Sequence, residues 1–122
     1  MEPDRARAVV TPVITPEALI LRIVGDVDAD TSWAVHAECW AAVVSMPPPS
    51  LVIVDLLAVE FLSAAAVRLL LQFADACGAK GLRLCLIVTP GTLQLRILML
   101  AGLHQRVPIF PAVNDAFGAD GA

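Results

Sequence analysis

Few side chains in this sequence are of types that do chemistry, and their spacing narrows them further. His36 and His104 lie far apart on different predicted elements. Acid–base work needs a partner within hydrogen-bond reach, so both are read as surface histidines. Cys39, Cys77 and Cys85 fall at apolar positions; a reactive thiol needs an exposed, electropositive setting, so all three are read as small buried hydrophobes. There is no glycine-rich phosphate loop, no nucleophile elbow and no Cys/His set at metal-ligand spacing. An enzyme is therefore not expected, and no metal or cofactor is called for.

One carboxylate pair and one hydroxyl remain. Asp28 closes the turn-like run Gly25-Asp26-Val27-Asp28, and Asp55 stands at the end of the apolar run starting at Leu51. An Asp at a strand end beside a helix start can accept backbone N–H bonds and fix the turn, or it can face a ligand or phosphate. Ser63 also has two readings. As an N-cap its hydroxyl accepts an N–H from Ala65 or Ala66, worth about 1 kcal/mol. As a phosphoacceptor it would place about −2 charge at a helix start, where the dipole tolerates it and a partner surface would feel it.

The elements that must position these residues follow from periodicity. Leu51 to Leu56 is almost unbroken apolar sequence, as expected of a central strand covered on both faces. From Ala66 the period changes to that of a helix, with Ala66, Leu69, Leu70, Phe73 and Cys77 on one face and Arg68, Gln72 and Asp75 on the other. Ser63 is the expected cap and Gly78 the expected stop. At about 100° per residue, Ala64, Val67 and Leu71 fall beside Arg68 and Asp75, outside the inward arc. An apolar patch rimmed by charge is the anatomy of a transient interface, with packing under a neighbouring loop as the alternative.

Upstream, 8–13 reads as an edge strand weakened by Pro12, and Ala18 to Val24 as a firmer strand. Thr31 to Val44 reads as a helix capped by Asp30 or Thr31, with Trp33, Ala37, Trp40, Ala41 and Val44 as its core stripe. Pro47-Pro48-Pro49 ends that helix as a connector. Downstream come a strand over Leu82–Val88, a helix over Thr92–Ala101 stopped by Gly102 and one helical turn within 111–117. Strands separated by helices imply parallel pairing through crossovers, giving an α/β domain with a four- or five-stranded mixed sheet and three to four helices. The domain is expected over 8–117, with a disordered segment at 1–7 and a tail at 118–122.

Composition bounds the function. The 122 residues are 58% apolar and carry a net charge of −4, with a mean hydropathy of +0.79. Such a surplus points to a surface for a protein partner or for pairing into a homodimer. Charged residues interrupt every apolar run short of the about 18 residues of a membrane span. The absence of a basic stripe argues against nucleic acid. The N-terminus lacks a secretory h-region, and three cysteines cannot all pair, which fits a reducing cytoplasm.

These motifs carry a resemblance. The apolar strand with Asp55, then Phe61, then a small-residue helix start, resembles the signature segment of STAS domains, especially bacterial anti-sigma factor antagonists. Gly25-Asp26-Val27-Asp28 is similar to the family's Gly-Glu-Ile/Leu-Asp element, Leu98 to Leu103 to its Leu-x-x-x-Gly-Leu helix end, and Val107-Pro108-Ile109-Phe110 to its final short strand. Laid over the family's Asp-Ser-Ser/Thr-Gly, the chain places Ser63 on the Asp, Ala64 on the phosphorylated Ser, Ala65 on the next small polar residue and Ala66 on the Gly. The resemblance implies a STAS-like fold and a regulatory module that binds a kinase-type anti-sigma factor and so releases a sigma factor. It implies a partner face around Ser63, Ala64, Val67, Arg68, Leu71 and Asp75, with Asp28 and Asp55 near the switch. With Ala64 at the acceptor position, the usual phosphorylation switch is missing. The alternative is a STAS-like sensor that takes a small anion or nucleotide near Asp28, Asp55 and the Ser63 turn.

Overall fold

The computed structural model describes residues 8–45 and 51–120. The expected disordered segment 1–7 and the triple-proline connector lie outside the described residues. The elements are β1 (Val9–Ile14), β2 (Ala18–Val27), α1 (Ser32–Val44), β3 (Leu51–Leu62), α2 (Ala64–Ala79), β4 (Arg83–Ile87), α3 (Leu93–Leu100), a 3-10 turn (Leu103–Gln105), β5 (Ile109–Phe110) and α4 (Val113–Asp120). They form one five-stranded sheet in the order β1-β2-β3-β4-β5. β1 pairs antiparallel with β2 and all later pairs are parallel, the mixed sheet expected from strands separated by helices.

Alternation along the strands divides the interior into two cores. Leu19, Leu21, Ile23, Val52 and Val54 join residues of α1, α2 and α3 in the larger core. Ala18, Ile20, Ile53, Cys85 and Ile87 face the other way, against Ala116 and flanking residues of α4.

β3 is twice as long as its apolar run suggests, and the reason is a change of phase. Opposite β2, the register slips between Arg22 and Val24 and again between Gly25 and Asp26. Arg22 pairs with Asp55 and Val24 with Ala58; Gly25 pairs with Val59 and Asp26 with Phe61. Each slip gives β3 one extra residue, so the spacing of its inward side chains changes from Val52, Val54, Leu56 to Leu56, Val59, Leu62. A period of two cannot be read through two bulges. The same slips absorb the expected Gly25–Asp28 turn, because β2 continues to Val27 with Gly25 at a φ of 110°.

The helices correct three further expectations. α2 does not stop at Gly78 but runs to Ala79, and Gly81 takes the left-handed conformation with a φ of 75° while the Leu82 N–H returns to the Cys77 carbonyl. α4 is longer than one turn and reaches Asp120. In α1 the inward residues are Ser32, Val35, Cys39 and Val43, not the Trp33, Ala37, Trp40, Ala41, Val44 stripe. Trp33 is 71% exposed and Val44 also faces solvent, while Trp40 is half-buried with its ring edge-on to Phe73. α1 is apolar nearly all round, so periodicity offers two faces and only docking on α2 and the sheet chooses between them. The predicted stop at Gly102 is met, with a φ of 80°.

Val67 is also corrected. It is 6% exposed and belongs to the larger core, so it cannot face a partner. The inward arc of α2 is wider than the Ala66–Cys77 stripe because α2 packs against both α1 and β4. Val67→Asp would bury an unpaired carboxylate and should destabilise the domain by roughly 3 kcal/mol or more. Urea denaturation of the variant beside the parent checks this; an unchanged midpoint would return Val67 to the surface.

Candidate functional site

The parallel pairing of β2 with β3 sets the β2–α1 and β3–α2 loops side by side. Val27 is opposite Leu62, and the Ser63 N–H donates to the Val27 carbonyl at 2.9 Å. Both loops open helices whose first N–H groups need acceptors. At α2, Ser63 takes an extended backbone and its Oγ accepts the Ala66 N–H at 3.1 Å, the expected cap. At α1, neither Asp30 nor Thr31 caps through its side chain. Asp28 Oδ1 instead accepts the N–H groups of Asp30 and Thr31, each at 2.9 Å. Thr31 Oγ1 ties the turn down from the other side, donating to the Asp26 carbonyl and accepting the Asp28 N–H, both at 3.0 Å. The Thr31 N–H bond, aided by those from Asp30 and the Thr31 hydroxyl, holds the Asp28 carboxyl below its ordinary range against an opposing desolvation.

Ala64 is the first residue of α2 and is exposed, Ser63 and Ala65 are half-buried, and Ala66 is buried. Along the outer side of α2, Arg68 and Asp75 are exposed and Leu71 is half-buried. Asp75 forms an ion pair with Arg106, beyond α3, which fastens the far end of this surface. Upstream of Ser63, the Gln94 amide donates to the carbonyls of Val59 and Glu60 at 2.8 and 2.9 Å. Gln94 and Arg106 were not legible as site residues, because each acts on a partner more than thirty positions away.

Asp55 is not at a strand end and does not join Asp28. It lies within β3, 3% exposed, with Oδ2 accepting from Arg22 Nε at 3.3 Å and Oδ1 from the Leu57 N–H at 3.0 Å. Seven residues separate it from Leu62, about 23 Å of strand. Its role is to hold β2 and β3 in register at the first bulge, so Asp28, Asp55 and Ser63 do not line a common pocket.

A small apolar cavity lies elsewhere, between α1, α2 and the sheet. It is about 30 Å³, bordered by His36, Cys39, Leu56 and Phe73 among others, and suits water rather than a nucleotide. His36 is thus half-buried rather than a surface residue, with its ring edge-on to Phe73 and a buried Nε2 that has no hydrogen-bond partner among the described residues. His104 is exposed. Burial pushes the Cys39 thiol up to about 12 and Cys77 up to about 11, so both stay protonated and unreactive near neutral pH. Among the described residues no three His, Cys, Asp or Glu side chains gather as a metal site, and no helix is long and apolar enough to cross a membrane.

The STAS domain profile matches residues 9–116. The chain belongs to the STAS domain family. No curated protein matches its sequence significantly. Among solved structures, an anti-sigma factor antagonist from Mycobacterium paratuberculosis is similar with a TM-score of 0.81 and 22% identity, over 93% of this chain and 94% of that one. The Bacillus cell fate determinant SpoIIAA in its phosphorylated form has a TM-score of 0.63 and 17% identity, over 91% and 98%. A sulfate transporter family protein from Wolinella succinogenes has a TM-score of 0.67 and 17% identity, over 88% and 87%. At these identities the likeness is one of fold.

Two pH effects follow from this STAS domain's geometry. Asp28 has a folded pKa below its ordinary 3.8, so its contribution is full above about pH 4 and is lost as pH falls through the folded value. Asp28→Asn keeps a good cap but removes the titration; acid unfolding followed by circular dichroism should begin at lower pH in the variant, with stability at pH 7 little changed. His36 is also shifted down, by burial, from its ordinary 6.5. The folded state therefore binds fewer protons below that value, and stability falls as pH drops from about 6.5 through the folded pKa. In His36→Leu the melting temperature should vary less between pH 7 and pH 5 than in the parent.

Proposed function

We propose that this STAS domain is a regulatory protein-binding module that acts as an anti-sigma factor antagonist in the cytoplasm, binding an anti-sigma factor of the kinase type and so freeing a sigma factor. The observation that carries the reading is the β3–α2 junction. An exposed helix start, Ala64, is presented at the C-terminal end of the central strand within a fold shared with an anti-sigma factor antagonist over nearly its whole length. The contact surface runs from Ser63 and Ala64 along Arg68 and Leu71 to Asp75, without Val67. Arg68 makes no ion pair among the described residues and is free to meet a carboxylate of the partner.

The same junction determines the mode of regulation. Ala64 has no hydroxyl, and the Ser63 hydroxyl is engaged as the α2 cap. The module therefore binds constitutively, under control of its abundance rather than of a phosphate. The test pairs the purified chain with a kinase-type anti-sigma factor and ATP and reads intact mass and calorimetric affinity. The parent chain should gain no phosphate and should keep its affinity after ATP. Ser63→Asp combined with Ala64→Ser restores an acceptor while Asp still caps, and should gain one phosphate and then release the partner as about −2 charge enters the contact surface. A phosphate mapped to Ser63 of the parent, or retained affinity in the phosphorylated variant, would overturn the reading.

A further inference from the structure

α3 is held to the domain by one side only. Leu98 is fully buried in the larger core, Leu95 and Ile97 pack beside it, and the Gln94 amide grips the end of β3. On the opposite side Leu93 is 67% and Leu100 82% exposed, with Met99 half-exposed. Two leucines one heptad apart and left in water add nothing to the stability of the monomer, since apolar surface stabilises only when removed from water. Neither the Ser63 loop nor the two cores uses them.

Beside these leucines lies an open groove of about 440 Å³, to which Leu95, Arg96, Met99, Leu100 and His104 contribute. That volume falls within the range of pockets that receive ligands or side chains, roughly 300–1,000 Å³. Among the described residues no carboxylate lines the groove, although the chain as a whole carries a net charge of −4. Arg96 has no hydrogen bond or ion pair from its guanidinium among the described residues. The groove therefore combines apolar walls with one unpaired permanent cation, opposite in sign to the rest of the molecule.

We propose that the α3 groove docks an acidic amphipathic segment of a partner protein, its apolar side chains against Met99 and Leu100 and a carboxylate on the Arg96 guanidinium. Arginine favours a bidentate carboxylate, and covering it with a neutral or basic segment would leave a charge desolvated without a counter-ion. The groove is reached from outside α3 and does not include Ser63, Ala64 or Arg68. Its occupancy is therefore measured without an anti-sigma factor, and failure here leaves the α2 reading untouched.

The test pans a random peptide library against the immobilised full-length chain, with depletion on the Arg96→Glu/Leu100→Ser variant. Both substituted residues are exposed, and circular dichroism checks that the variant folds; Arg96→Glu and Leu100→Ser singly serve if the double variant does not. Enriched peptides should combine Asp or Glu with apolar residues. A synthetic peptide of the enriched sequence should shift the amide resonances of residues 91–104, lose about tenfold or more in affinity with Arg96→Glu, and keep most of it with Arg96→Lys. Enrichment of neutral or basic peptides, no discrimination between parent and variant, or shifts confined to other residues would overturn the proposal. So would sedimentation showing a dimer that Leu100→Ser dissociates, which would make the occupant a second copy of this chain.

Discussion

The pairing of β2 with β3 is the constraint on which the rest of the structure depends. It joins the two longest strands, feeds both cores, and carries two bulges that lengthen β3 relative to its partner. Without those extra residues Val59 and Leu62 would not both face inward after Leu56, and the end of β3 would not arrive opposite Val27. The Ser63 N–H to Val27 carbonyl bond closes that arrangement. It is why two helix starts that are distant in sequence lie next to each other at one end of the sheet.

The charged residues divide into those that hold this pairing and those that face outward from it. The buried Asp55 carboxylate, supported by Arg22 and by the Leu57 N–H, stands where the ladder first slips, so it replaces regular register with a specific side-chain lock. Asp28 does the corresponding task at the start of α1, where it takes two N–H groups that the helix cannot satisfy internally. Arg68 and Arg96 are different. They lie on outer surfaces beside apolar side chains, where an exposed charge adds little to the stability of the monomer.

The apolar surplus finds its explanation in the same division. The two cores take the strand residues and one side of each helix, yet Trp33 and Val44 on α1 and Leu93 and Leu100 on α3 stay exposed. These residues account for a composition richer in apolar side chains than a domain of this size needs for folding. They also account for the misread stripe of α1, since a helix apolar on two sides gives periodicity no means of telling the inner from the outer.

What the sequence determined by itself were the features in which local chemistry has one solution. The alternation of strands and helices, the Ser63 cap, the left-handed Gly102 and the inert cysteines each follow from residue type and neighbours, and the STAS signature rested on a contiguous stretch. Tertiary structure decided whatever depended on residues distant in the chain. Asp55 reads as a strand-end acid until the bulges opposite β2 carry the strand past it. Val67 reads as marginal until the larger core forms and takes in its side of α2. Asp28 rather than Thr31 caps α1 because the turn folds back between Asp26 and Thr31, and Gln94 and Arg106 act only once α3 has docked. Periodicity reports how many apolar faces an element has; which face is buried, and where a strand shifts phase, are set by the neighbours that remove it from water.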